Sequence, residues 1–308
     1  EDIITLSECR SMLRKMAFQP YLRGALLIIS LVSLVLAGAA GYRNSRRQQT
    51  ESEYLKRLEQ VSRTEGEERW DNLQSAMELN PQGEDAFLQM IDEILEDGVF
   101  DREEDRRFRS TLSEVLDESG NTPEDYLQKD PAGYIRIAYE TGLAYWYFYE
   151  GREGRTYGTR WFQKACSCTA ADEGSVLLLD KSELYGKIGD YRNQLERYEE
   201  TGEKGDDFVR YWEDTGILRE KMEQSADNPV IRIQFWQELL SVLVHYTPEF
   251  KETGVSKEDM ENMIREAEEV LSENNIRREN FEQKKEELEQ TITLLADIME
   301  RTYQEDRA

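Results

Sequence analysis

The sequence predicts an all-α chain: one transmembrane helix followed by an α-solenoid of short, degenerate helical hairpins. Three observations carry this. Residues 24–42, GALLIISLVSLVLAGAAGY, run 19 positions without a charge between Arg23 and Arg43. The remainder is rich in Glu, Lys, Arg and Leu and poor in Val and Ile, which favours helix over sheet. Small and aromatic residues then recur at the spacings by which stacked helix pairs interlock.

As a helix, 24–42 spans roughly the 30 Å hydrocarbon core at about 1.5 Å per residue. The run is longer than a signal-peptide core and follows a polar lead, so it reads as a retained anchor. A buried soluble helix would keep a polar face over this length. Residues 1–23 read as the tail of an upstream domain, and Glu1 in place of Met as the start of a piece of a longer chain. Arg10, Arg14, Lys15 and Arg23 precede the span; Arg43, Arg46, Arg47, Lys56 and Arg57 follow it. That balance leaves the orientation open by charge alone. Ser33, Ala37 and Gly41 recur every fourth residue and form one small-residue stripe, a candidate helix-dimerisation surface, although Gly and Ala are common in such helices anyway.

The chain holds 39 basic and 65 acidic residues, a net charge of −26. The first 47 residues are net basic, so the body after them carries the acidity. Such a body repels phosphate backbones and argues against nucleic-acid binding. It also repels anionic headgroups, except at the basic neck beside the span. Trp70, Trp146, Trp161, Trp212 and Trp236, with 16 Tyr, supply the apolar surface that a disordered acidic chain lacks. Three cysteines, Cys9, Cys166 and Cys168, make no disulfide framework.

Residues 43–65 read as a helical juxtamembrane linker with Tyr54, Leu55, Leu58 and Val61 as its apolar stripe and Gly66 loosening its end. Residues 66–308 form the acidic helical domain. Ala76-Met77-Glu78-Leu79-Asn80-Pro81 ends a helix at the proline, and Ala86-Phe87 opens the next apolar face. This is how tetratricopeptide repeats pass from one helix pair to the next. Gly98 breaks the following helix. Asp101 caps another, over 101–117, with Glu104 in the capping-box position. The stretch 119–131 reads as a loop. Ala138, Gly142 and Tyr145, then Gly158, Phe162 and Ala165, have tetratricopeptide-like spacing: small residues admit a neighbouring helix and an aromatic fills the gap. A third unit begins near Val176, with Gly189 as its turn and Tyr191 packing back. Further helices are expected over 206–223, 229–246, 256–273 and 276–303. The last carries Leu288, Ile292, Leu295, Met299 and Tyr303 as an apolar stripe suited to a capping helix.

No catalytic, metal-binding or cofactor-binding residue is assigned. Phosphate-binding loops, nucleophile elbows and dinucleotide turns are missing from the sequence. His245 has no identifiable nucleophilic partner and reads as a packing or capping residue at a helix end. Cys166-x-Cys168 offers two thiols, too few for a zinc site. With 65 acids, paired carboxylates carry little specificity. The aromatics around 139–162 read as interhelical core. The functional alternative is a concave binding groove lined by Tyr139, Tyr145, Trp146, Tyr149 and Trp161.

The span at 24–42, AMELNPQGEDAFLQMIDEILEDGVFDREED at 76–105, IAYETGLAYWYFYEG at 137–151, WFQKA at 161–165 and RYWEDTGIL at 210–218 resemble the region after the kinase domain in clostridial and other Firmicutes serine/threonine protein kinases. The resemblance covers roughly residues 1–250. It implies a kinase domain ahead of residue 1, a cytoplasmic N-terminal side and an acidic domain outside the cell. None of the kinase's catalytic residues falls within this chain. The expected function is a membrane-anchored binding or sensing region for a protein, peptide or envelope component, able to form a homodimer. The alternative is a membrane-tethered protein-interaction scaffold without a kinase.

Overall fold

A computed structural model describes residues 42–46, 48–81, 83–117, 130–202, 206–223, 228–272 and 281–304. Residues 24–41 of the apolar run, with the stripe of Ser33, Ala37 and Gly41, lie outside them. Among the described residues no helix is long and apolar enough to cross a membrane.

The described residues form eleven helices and no strand. They are α1 (48–61, with helical residues 42–46 ahead of it), α2 (Gly66–Leu79), α3 (Glu84–Ile94), α4 (Arg102–Asp117), α5 (Pro131–Phe148), α6 (Gly154–Cys166), α7 (Glu173–Thr201), α8 (Asp207–Glu223), α9 (Pro229–Glu252), α10 (Lys257–Ser272) and α11 (Phe281–Gln304). Helices adjacent in sequence pack against each other as α2–α3, α5–α6–α7 and α7–α8, while α9 packs chiefly on α11.

α1 ends at residue 61, short of the 65 expected, and Gly66, at φ +56°, opens α2. α1 docks through Tyr54 and Val61, both buried, while Leu55 on the same helix is exposed. Its Tyr54 covers the α2–α3 turn, where Pro81 stops the helix and the Gly83 N–H bonds the Asn80 carbonyl at 2.9 Å. The capping box that opens α4 is present in full. Asp101 Oδ1 accepts the N–H groups of Glu103 and Glu104 at 2.7 and 2.8 Å, and Glu104 Oε2 accepts that of Asp101 at 2.9 Å.

Pro131 belongs not to a loop but to the first turn of α5, where a missing N–H costs nothing; Asp130 caps that helix by accepting the Gly133 N–H at 3.0 Å. α5, α6 and α7 approach closely because three glycines allow it. A Cβ at Gly142 would lie 2.5 Å from the Phe162 ring, and one at Gly158 only 2.8 Å from the Gly142 carbonyl oxygen. One at Gly189 would lie 3.0 Å from the Trp146 indole. Gly189 is therefore not a turn: α7 runs unbroken through it for 29 residues, from the Asp172 cap to Gly202 at φ +68°. α9 extends past 246, the end expected for it, to Glu252. It kinks at Tyr246 (φ −123°, ψ 26°), where Pro248 removes one helical donor. α11 buries Leu288, Ile292, Leu295 and Met299, the stripe expected of a capping helix.

Candidate functional site

The aromatic residues that the sequence offers as a groove sit mostly inside the molecule. Tyr139 and Tyr145 are essentially buried and Trp146 is 7 % exposed; Tyr149 and Trp161 are half-buried. Phe162 stacks on Tyr185 at 4.8 Å, and Trp146 meets both rings edge-on or tilted. The three buried rings are packing residues in this geometry and present no open face. Trp161, on the outer side of α6, carries the Lys164 ammonium 3.7 Å from its ring centroid.

Two polar clusters are built into this aromatic core. The first centres on Glu238 of α9. Its carboxylate accepts the Trp146 indole N–H from α5 at 2.7 Å and the Arg192 guanidinium from α7 at 2.5 Å. Arg155 of α6 lies 3.9 Å away and pairs with Glu196 of α7 at 3.1 Å. Burial alone would lower the Arg192 pKa, but the Glu238 charge overrides it and raises the net value. The nearby Tyr211 hydroxyl is pushed well above its ordinary value, chiefly by burial. The cavity between Tyr147, Tyr185, Tyr211, Thr215 and Glu238 is about 10 Å³, room for about one water molecule, so it is no organic-ligand site. Its carboxylate is held by donors from two helices, which suits a structural key joining α5, α7 and α9.

The second cluster reaches the surface. Rings of Phe100, Tyr145, Tyr149 and Tyr157 lie at centroid separations of 4.8 to 5.6 Å. The Tyr145 hydroxyl donates to buried Asp105, and Arg109 donates to the same carboxylate oxygen at 2.8 Å. Burial and Asp105 together raise the Tyr145 pKa well above its usual value, so the phenol stays a donor. The backbone closes the same corner: Phe100 N–H donates to Phe148 O at 2.8 Å, and Glu150 N–H donates to Phe100 O at 3.0 Å. Tyr149 and Tyr157 are half-buried; exposed Arg102 acts on Tyr149, exposed Arg109 and Arg160 lie over the Tyr157 ring, and Arg106 is exposed on the same helix stripe as Arg102 and Arg109.

The sequence names Tyr145 and Tyr149 of this corner but not Asp105, Arg109 or Tyr157. The i, i+4 and i+7 spacing of Arg102, Arg106 and Arg109 was the signal that could have found it. The other chemical candidates stay apart. His245 is exposed on α9, neither buried nor capping, with Nε2 3.7 Å from Glu199. Cys166 and Cys168 are free thiols, the first exposed and the second half-buried. Among the described residues no group of three or more His, Cys, Asp or Glu side chains could hold a metal ion. Comparison with protein-family models, with curated proteins and with solved structures finds no match.

Proposed function

We propose that this chain is a non-catalytic, membrane-anchored region of tetratricopeptide-like helical hairpins that binds a protein or peptide partner, and that it forms the sensing part of a serine/threonine kinase receptor. The observation that carries the repeat reading is the α5–α6–α7 packing. Gly142 receives Phe162, Gly158 lies on the Gly142 carbonyl, and Gly189 receives Trp146. Gly142, Gly158 and Phe162 stand at the spacing of the repeat consensus, whereas the third hairpin expected from Val176 onward is one continuous helix; stacked hairpins serve chiefly as binding surfaces. The apolar segment 24–42 supports the anchor, and the resemblance described above supports the kinase.

The test is the mass of the native protein, detected through α11. A kinase domain of up to about 250 residues would add roughly 30 kDa to this chain. A product no larger than this chain would remove the kinase and leave a membrane-tethered scaffold. Orientation is read separately from exposed Cys166, in a variant with Cys9→Ser. Labelling of intact cells by an impermeant thiol reagent places the acidic domain outside; labelling only after lysis places it inside. Burial, Glu183 and Cys168 raise the Cys166 pKa, so the reaction is run at mildly alkaline pH.

A further inference from the structure

Among the described residues the acidic body carries a cluster of exposed arginines where α4 meets α6. Arg102, Arg106 and Arg109 stand at i, i+4 and i+7 of α4, one exposed stripe of that helix. The stripe meets α6 at Tyr157, whose ring centroid lies 4.9 Å from the Arg109 guanidinium and 5.8 Å from that of Arg160. Arg109 is answered by Asp105 at 2.8 Å. Arg102, Arg106 and Arg160 have no carboxylate within ion-pair distance among the described residues. Nearby arginines behave differently: Arg107 pairs with Glu67, Arg155 with Glu196 and Arg136 with Glu84. In a chain with 65 acids for 39 bases, three exposed arginines with no carboxylate partner among the described residues run against composition.

We propose that this face, Arg102, Arg106 and Arg160 around Tyr149 and Tyr157, docks a carboxylate-rich segment of a protein partner. The inference rests on the binding-module reading and supplies the chemistry of its partner. Guanidinium groups fork onto carboxylates through paired N–H donors, and tyrosine rings add rigid contact area at little entropic cost. The ring cluster beneath is locked by the Tyr145–Asp105–Arg109 hydrogen bonds, so the face is preorganised. The body's overall negative charge does not forbid the contact. At about 0.15 M salt the screening length is roughly 8 Å, so distant acids count for little; of the acids close by, Asp105 is held by Arg109 and Tyr145, and Glu153 lies beside Tyr149. A nucleic acid fits worse, because its repeating phosphates would run off the patch onto acidic faces.

The test titrates the full 308-residue chain, in zwitterionic detergent, with a fluorescein-labelled Glu-Gly repeat peptide; a Gln-Gly repeat is the control. Saturable binding of the Glu peptide alone is expected at about 0.15 M salt. Combined Arg102→Glu, Arg106→Glu and Arg160→Glu should weaken it about tenfold or more, equivalent to about 1.4 kcal/mol. Arg197→Glu, on exposed α7 surface, should leave it unchanged. Lysines at the same three positions keep the charge but lose the fork, and should give an intermediate affinity; they also serve if the glutamate variant does not fold. Equal binding of both peptides, or no loss in either triple variant, overturns the proposal. So does sedimentation showing that these residues instead join two copies of the chain. None of these outcomes touches the receptor reading, which stands or falls on the native mass and the thiol labelling.

Discussion

The Tyr54 hydroxyl accepts the backbone N–H of Ala86 at 3.2 Å, tying α1 to the first turn of α3. It also fills the space beside Gly83, where an added Cβ would lie 2.5 Å from the phenol oxygen. Tyr54→Phe should lose about 1 kcal/mol in urea denaturation, the usual value of one such bond. Gly83→Ala should act more strongly and locally, because the buried ring cannot retreat. Hydrogen exchange over 48–61 should accelerate while α5–α7 keeps its protection. Burial, partly opposed by the Ala86 N–H, also pushes the Tyr54 hydroxyl up to about 12. Its contribution is therefore complete below about pH 10, the unfolded value, and is lost as pH rises toward 12.

Removing the Glu238 carboxylate should be among the most damaging changes in the domain. Glu238→Ala strands the largely buried Arg192 and the Trp146 indole N–H, and should cost about 3–5 kcal/mol. Glu238→Gln still offers an acceptor to one donor and should cost less than Glu238→Ala. Equilibrium unfolding followed by tryptophan fluorescence checks both values. Equal losses would argue that the charge, which both variants remove, and not the volume that glutamine keeps, decides at this position.

Glu104 gives a pH dependence with a definite sign. Burial pushes its carboxyl up to about 7 from an ordinary 4.5; the Asp101 N–H opposes this, and the charges of Asp101, Asp97 and Glu93 add to it. The folded state thus holds the proton more tightly than the unfolded state. The associated stability is complete below about pH 4.5 and declines as pH rises to about 7. After allowance for solvent screening the decline is about 1–2 kcal/mol. Glu104→Gln keeps the capping box and removes this titration, so its stability should decline less over that window and be higher than the parent's at pH 8. Urea midpoints measured across the pH series decide it.

The glycines divide into two groups with opposite expectations. Gly158→Ala drives a methyl against a backbone carbonyl and should destabilise by about 1–3 kcal/mol. Gly186 and Gly216 lie within α7 and α8, and a Cβ there would meet nothing within 4 Å. Their replacement by Ala should stabilise by about 0.5–1 kcal/mol each through helix propensity. Thermal melts of the three single variants suffice.

Local chemistry explains what the sequence revealed and what it hid. Asp101 and Glu104 announce the α4 start because a capping box is complete within four residues. Pro81 announces a stop for the same reason. Gly142 and Phe162 could be matched because their spacing follows the repeat pattern. Gly189 misled because a glycine demanded by Trp146 from another helix looks, in one sequence, like a glycine demanded by a turn. Pro131 looked like loop because its cap, Asp130, precedes it without a periodic signal. The Arg192–Glu238 pair joins residues 46 apart, and nothing among 65 acids marks which one will be buried. Tyr139 and Trp146 suggested a groove because aromatic density is the same signal for a core and for a binding surface.

The bridge at Phe100 consists of main-chain donors and acceptors, so the union of the α3–α4 turn with the end of α5 does not depend on the exposed side chains beside it. Exchanging an exposed neighbour leaves both backbone bonds in place. The arginine-bearing edge of α4 therefore has a fixed mount, on which one set of exposed side chains can be exchanged for another without rebuilding the frame.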